Sequence, residues 1–191
     1  MDQIIRIGMD TSKHIFQLHG VDSAERPVLR RKLRRSEMLA FFAKLPPTVI
    51  GMEACAASHY WSRELRKLGH QVKLIAPQHV KAYIKRNKND GRDAEGLCEA
   101  MSRPTMRVVA MKSVEQQATL AVHSTRALLV RQRTAAANAL RGMLSELGIV
   151  AAQGMKGLRM LMQQIEQPSE TIPELMRNAL LLLARQWEAL N

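Results

Sequence analysis

Residues 113–147 contain no proline and no glycine before Gly142, and they are rich in Ala, Leu, Arg and Gln. Nothing in that stretch breaks a helix, and Gly148 stands where one would stop. A helix of this length spans about 50 Å at 1.5 Å per residue. It cannot fit inside a small domain, so it must project or pair, and it divides the 191-residue chain in two. We therefore expect one domain over residues 1–112 and a helical region over residues 113–191. In the latter, residues 157–165 and 173–190 read as two further helices joined by a turn at Gln167, Pro168 and Ser169.

The first 112 residues carry a different pattern. Residues 4–10 alternate well enough for a strand, with Ile5, Ile7 and Met9 on one face and Asp10 at its end. Gly8, within it, allows the close approach of a backbone or a substrate. Strands over residues 14–21 and 27–34 follow, separated by the polar turn 22–26, and links this short make antiparallel neighbours. Ser36 is placed to cap a helix running to Leu45, which Pro46 and Pro47 stop. Residues 48–52 read as a buried strand that delivers Glu53 at its end. Ser58 opens a helix with Trp61, Leu65 and Leu68 inward and Gly69 as its stop, and residues 72–76 form the next strand. Pro77 opens a short basic helix over residues 78–86, and residues 106–110 are a last strand-like piece. Meandering strands followed by helix–strand units describe a mixed α/β sheet whose first strand is central.

Four acids stand out against this background. Asp10 and Glu53 fall at the C-terminal ends of strands, where α/β sheets carry their chemistry. Asp90 and Asp93, three positions apart, share one side of a helix start. At about 100° per residue they lie on the face of Ala94, Leu97, Cys98 and Met101, whereas Glu95 and Glu99 point to solvent. Acids on an inward face need a cation or a hydrogen-bond donor, because burial and mutual repulsion disfavour their charge. Magnesium and manganese take hard oxygen ligands, and phosphoryl-transfer sites hold two such ions about 3.5–4 Å apart between carboxylates. Taken singly the acids have plainer readings: Asp90 with Asp93 is an acceptable helix cap, and Asp10 and Glu53 each read as strand-end acids. Together they describe a divalent-metal site for phosphodiester chemistry.

Charge points to the same class of partner. Lys and Arg number 29 against 17 Asp and Glu, a net charge of +12, which favours a polyanion. The longest apolar run, residues 179–184, is far short of the roughly 20 residues of a membrane-spanning helix. No secretory signal is visible, and two cysteines, Cys55 and Cys98, make no disulfide framework or metal knuckle. A cytoplasmic protein is expected, with both thiols buried. Lys81, Lys85, Arg86, Lys88 and Arg92 adjoin the acidic motif, where they are placed to bind flanking phosphates, and Arg30, Arg31, Arg34 and Arg35 form a second basic run. Aromatic residues make up only 4% of the chain, so phosphate contacts rather than base stacking are expected to dominate. The six histidines show no zinc-ligand spacing and read as surface or packing residues.

The run Ile7-Gly8-Met9-Asp10-Thr11-Ser12-Lys13, the strand end Gly51-Met52-Glu53-Ala54, residues 74–81 and above all Lys88-Asn89-Asp90-Gly91-Arg92-Asp93-Ala94-Glu95 resemble the N-terminal half of the Piv/MooV-type DEDD transposases of bacterial insertion sequences. The similarity continues through residues 103–107 and 115–117 to Arg141-Gly142 and Gly148-Ile149. It implies a RuvC-like, ribonuclease-H-type fold with a mixed five-stranded sheet, followed by a coiled-coil helical region through which chains pair. It implies that Asp10, Glu53, Asp90 and Asp93 are the DEDD acids, binding two magnesium or manganese ions for cleavage and transfer of DNA strands. Some members of this family are guided by a structured RNA that pairs with DNA, so RNA is an implied second partner. The family also carries a C-terminal domain with a nucleophilic serine, which is expected to lie beyond Asn191. Two readings compete with a recombinase: a stand-alone metal-dependent nuclease acting through water, and a chain that only holds nucleic acid. The sugar-kinase and actin-like fold shares the Gly-x-Asp strand start but needs a second Gly-rich phosphate turn, and the sequence has none.

Overall fold

The computed structural model describes residues 3–83 and 90–191, and for residues 90–92 the helical backbone alone. The chain divides into two compact units, Met1–Val114 and Glu115–Asn191. In the first, the strands β1 (Arg6–Thr11), β2 (Ile15–Val21) and β3 (Pro27–Arg34) form an antiparallel meander. β4 (Val49–Glu53) and β5 (Gln71–Ile75) add in parallel beside β1, and β6 (Val108–Val109) closes the edge antiparallel to β5. The order β3-β2-β1-β4-β5-β6 places β1 inside the sheet, as the order of elements in the sequence led us to expect, and its Ile7, Gly8 and Met9 are buried in succession. Three antiparallel strands continued by two parallel ones are the ribonuclease-H-type arrangement implied above. The sheet has six strands rather than five, because the piece at residues 106–110 joins it as the two-residue β6.

Each face of the sheet buries its own cluster. On one, Ile7, Met9, Phe16, Leu18, Leu33, Ile50, Met52 and Leu74 pack against Met38 and Phe42 of α1 (Met38–Phe42) and Trp61 and Leu65 of α2 (Ser58–Lys67). On the other, Ile75 packs with Leu97, Ala100 and Met101 of α4 (Asp90–Ala100) and with Val80 of α3 (Pro77–Val80). Full burial of side chains such as Leu97 and Met101 stabilises the docked helix by about 1.5–3 kcal/mol each. Two glycines let α4 come this close. A Cβ on Gly8 would collide with the Ala94 carbonyl oxygen and stand 2.6 Å from the Cys98 nitrogen, and one on Gly51 would stand 2.6 Å from the Met101 sulfur.

Several local expectations are corrected. The helix expected over residues 36–45 is a single 3-10 turn, Arg35–Glu37, followed by the five residues of α1. Its start is held by the Arg34 N–H, which donates to Glu37 Oε2 at 2.7 Å, and not by Ser36. Ser58 does not cap α2 either: it is buried inside the first turn and its hydroxyl donates to the Cys55 carbonyl at 2.7 Å, while Ala57 takes a positive φ of 68° before it. Of the helix expected over residues 78–86, α3 and a 3-10 turn at Lys81–Tyr83 are described. Cys98 is buried as expected, but Cys55 is exposed, because the loop after β4 carries it out of the sheet, with Thr11 Oγ1 3.4 Å from its sulfur.

In the second unit, α5 (Val114–Ser145) is a continuous helix of 32 residues, and Gly148 follows it with φ +74°. Only its C-terminal part is buried: Ala136, Ala137, Leu140 and Leu144 pack against α6 (Met155–Glu166) and α7 (Glu174–Ala189) through Leu158, Leu161, Ile165, Leu180 and Trp187. Leu120, Val122, Leu128, Leu129 and Val130, earlier on α5, are exposed.

Candidate metal and nucleic-acid site

Parallel pairing of β1 with β4 sets Met9 opposite Met52, so Asp10 and Glu53 are the next residues on two adjacent strands. Strand alternation puts Asp10 on the face of Gly8 and Glu53 on the face of Gly51, and both glycines lie under α4. Along α4, Ala94 and Cys98 meet Gly8, Met101 meets Gly51, and the Cys98 carbonyl accepts from Arg6 Nε at 3.0 Å. The helix thus starts at the strand ends carrying Asp10 and Glu53, and runs down toward the start of β1. Asp93 lies one residue before Ala94 at that upper end, and Asp90 is the first residue of the helix. The positive end of the helix dipole therefore faces the acids.

Asp10, Glu53 and Asp93 are each half-buried. One oxygen of Asp93, Oδ1, is fully shielded from solvent and has no hydrogen-bond partner among the described residues. A shielded carboxylate oxygen without a donor is costly, and a cation removes the cost. Three carboxylates at one end of a sheet are also the hard-oxygen donor set that magnesium and manganese take. The residues fit a divalent ion in chemistry. Among the described residues, however, no three His, Cys, Asp or Glu side chains stand close enough together to hold a metal as they are. The side chain of Asp90, the fourth acid, lies outside the described residues.

The lower end of α4 is closed by cations. Lys73 on β5 donates to the Met101 carbonyl at 3.3 Å, and Arg6 holds the Cys98 carbonyl while pairing both its terminal nitrogens with Glu25. Such donors satisfy carbonyls near the negative end of the helix dipole. Hydrogen bonding to Arg6 holds the Glu25 carboxyl below its ordinary range, and burial pushes the Cys98 thiol up. Glu95 is not wholly in solvent, as helical phase alone implied. It is half-buried and lines a cleft with Arg6, His19 and Cys98, because α4 crosses β2 as well as β1. His19 there is buried, and desolvation holds its pKa below the ordinary histidine value against the pull of Glu95. Glu99 is exposed and pairs with Arg103 at 2.8 Å.

The basic run on β3 is divided by the sheet. Cross-strand pairing sets His19 against Arg30 and Gln17 against Lys32, while Gly8 and Asp10 pair with those same two β2 residues. Arg30, Lys32 and Arg34 therefore share the face that carries the acids. Arg31 alternates to the other face, where its guanidinium stands 5.2 Å from the centre of the Phe41 ring, and Arg35 stands 5.1 Å from that of Trp61. All five cations are exposed. Lys81 is exposed at the end of α3, whereas Lys85, Arg86, Lys88 and the side chain of Arg92 lie outside the described residues. Lys32, part of that basic run, falls on the acid face by strand alternation; Lys73 under α4 was not singled out in the sequence, and no local signal marks it.

The family model described as a transposase, of the DEDD type found in IS110, matches residues 7–149. A putative transposase of Sinorhizobium fredii is 54% identical over 190 residues, covering 100% of this chain and 49% of that protein. A probable family 20 transposase of Pseudomonas aeruginosa is 50% identical over 168 residues, covering 88% of this chain and 50% of its own length. The transposase for insertion sequence element IS1328 of Yersinia enterocolitica is 39% identical over 177 residues, covering 93% and 53%. This chain spans about half the length of these relatives. Among solved structures, a Thermus thermophilus RuvC in complex with a Holliday junction substrate aligns with a TM-score of 0.41 and 10% identity over 56% of this chain and 100% of that one. With 143 consecutive residues matched by one family and three relatives matched over most of its length, the chain belongs to the DEDD transposases of the IS110 type.

Proposed function

We propose that this chain is the metal-binding half of an insertion-sequence transposase, in which Asp10, Glu53, Asp90 and Asp93 hold magnesium or manganese against a DNA phosphodiester. The observation that carries this reading is the shielded Oδ1 of Asp93, without a hydrogen-bond partner among the described residues, at the sheet end where Asp10 and Glu53 emerge. Bound there, a divalent ion supplies charge neutralisation at the phosphate and activation of a water or hydroxyl nucleophile. The chain's own residues do the rest. β1 and β4 fix two carboxylates on neighbouring strands, the packing of Ala94 and Cys98 on Gly8 sets the start of α4 at those strand ends, and Arg30, Lys32 and Arg34 offer phosphate contacts on the same face, with Lys81, Lys85, Arg86, Lys88 and Arg92 as further candidates. DNA is the substrate of this reading, and its cleavage and transfer are reactions of the longer protein. A structured guide RNA is a second polyanion that the net charge of +12 accommodates. The exposed apolar residues of α5, from Leu120 to Val130, support pairing of two chains through that helix.

Manganese titration by calorimetry tests the site in the 191-residue chain. Asp93→Asn and Asp10→Asn are each expected to weaken binding by at least about tenfold, since even the outer partners of metal ligands are worth that much. Their circular dichroism should match that of the unsubstituted chain. Unchanged manganese affinity in both variants would sink the assignment.

A further inference from the structure

At the end of the sheet where β1 and β4 deliver the acids, a groove of about 710 Å³ opens along the outer edge between β3 and α2. Its floor and one wall are Trp61, buried, and Tyr60, 42% exposed, whose rings meet edge to face at 5.1 Å. Two more apolar side chains that a folded domain would ordinarily cover, Ile15 at 48% and Leu39 at 37% exposure, line it as well. Its rim is cationic: Arg34 comes from the last residue of β3, and the Arg35 guanidinium stands over the Trp61 ring. His14 and Ser36 complete the lining, and no acid lines it among the described residues. The indole N–H of Trp61 is buried without an acceptor among those residues.

An apolar, aromatic slot rimmed by arginines has the chemistry of a base and its phosphates. Stacking on an aromatic ring takes any base, and a guanidinium adds both a planar face and a phosphate donor. A protein partner that filled the slot with an apolar side chain would gain nothing from the arginines, and a small hydrophobic ligand would leave them unpaired. Position agrees with chemistry. Ile15 pairs with Arg34, Phe16 with Thr11 and Gln17 with Asp10. The groove thus begins at the same end of the sheet as Asp10, two strand spacings or about 10 Å away across the sheet, and opens on the side of α2, opposite to that of α4.

We propose that the groove takes an unpaired base of single-stranded DNA, stacked on Tyr60 against Trp61 and Arg35, with Arg34 on a neighbouring phosphate. This deepens the transposase reading, on which it rests, by assigning a strand that has left the duplex to a defined place at the sheet end that carries the acids, on the α2 side of the sheet. It also concentrates base stacking, scarce in so aromatic-poor a chain, at one point.

Binding of a fluorescent oligothymidylate, a blunt duplex of equal length and an oligouridylate to the 191-residue chain, by anisotropy in EDTA, tests this apart from the metal. Tyr60→Ala is expected to weaken single-stranded DNA binding about tenfold while duplex binding is unchanged, and Tyr60→Phe is expected to retain it. Arg35→Gln, at a cation of the groove that the acid face does not share, should weaken single-stranded DNA binding and leave the duplex unchanged; it serves as the second variant should Tyr60→Ala lose its fold. Unchanged single-strand binding by Tyr60→Ala, or an equal loss on the duplex, would overturn the proposal. A loss confined to oligouridylate would do so too, since it would assign the groove to RNA. Manganese calorimetry on the same proteins reports the metal site separately, so either idea fails without the other.

Discussion

The two ends of α4 rest on the same strand and answer opposite demands. At the lower end every described charge is matched: Arg6 holds Glu25 and the Cys98 carbonyl, Lys73 holds the Met101 carbonyl, and in the β2–β3 turn nearby Asp22 accepts from the Ala24 and Arg26 N–H groups at 2.9 Å each. At the upper end the strands bearing Asp10 and Glu53 finish beside the start of α4, and one oxygen of Asp93 is shielded with no hydrogen-bond partner among the described residues. The lower end is a structural lock, whereas the upper end leaves one shielded carboxylate oxygen without a hydrogen bond among the described residues.

The largest effect is expected where the two ends share one contact. Gly8→Ala would drive a methyl into the Ala94 carbonyl and the Cys98 backbone, neither of which yields without lifting the helix. Overpacking against backbone costs about 3 kcal/mol or more, so urea denaturation should show a large loss of stability and manganese binding should go with it. Gly8→Ala with wild-type stability would mean that α4 does not depend on this contact for its place.

Next comes the lock itself. Arg6→Met removes the donor to the Cys98 carbonyl and the partner of Glu25, a side chain mostly shielded in the fold. Charged hydrogen bonds of this kind contribute about 1.5–3 kcal/mol, and the exposed Glu25 half of the pair puts the expectation at the lower end of that range. His19 in this region, together with His59 on α2, predicts a graded response to acid. Burial holds His19 and His59 below the ordinary histidine value near 6.5, with Arg30 adding to it for His19 and Lys112 and Arg63 for His59. Below pH 6.5 the unfolded chain therefore binds protons that the folded chain refuses, and stability falls as the pH drops toward the folded values. Hydrogen bonds from Arg26 to Asp22 and from Arg6 to Glu25 depress those two carboxyls. Their stabilisation is present above the unfolded carboxyl values and is lost as pH falls through the depressed folded ones. Melting temperatures should thus decline from pH 7 to pH 5, and more steeply below pH 4; a flat profile would contradict the matched lower end.

The two ends also differ in how legible they are in the sequence. Asp10, Glu53 and the helix starting at Asp90 follow from strand alternation, a turn and a helical phase, all local signals, and Gly8 marked the close approach beforehand. The lower end did not show itself. Arg6 meets residues 19 and 92 positions away, Lys73 meets one 28 away, and nothing local in Arg6 or Lys73 announces a carbonyl across the sheet. Glu95 was assigned to solvent because helical phase describes one helix, whereas α4 also crosses β2 and encloses that side chain with His19. Cys55 was expected inside because free cysteine is so often buried, yet it follows β4 in an exposed loop, where its sulfur meets the Thr11 hydroxyl rather than the core. Tyr60 and Trp61 are adjacent in sequence, so no periodicity could show that the ends of β2 and β3 complete a groove around them.

The smallest effects separate two acids on the same helix. Glu99 is exposed and paired with Arg103 one turn on, an arrangement worth about 0.3–0.5 kcal/mol. Glu99→Gln is expected to cost no more than that and to leave manganese affinity untouched. Asp93→Asn removes a charge from a shielded oxygen without a donor, so in EDTA the variant should be as stable as the unsubstituted chain or up to about 1 kcal/mol more stable. In manganese the order reverses, because a metal that binds only the folded chain stabilises it and Asp93→Asn binds less. Melting curves of the two variants with EDTA and with manganese read both signs at once. The crossing identifies Asp93 as an acid kept for an ion; parallel curves would make it one more surface carboxylate, and the two ends of α4 would then differ in nothing but their partners.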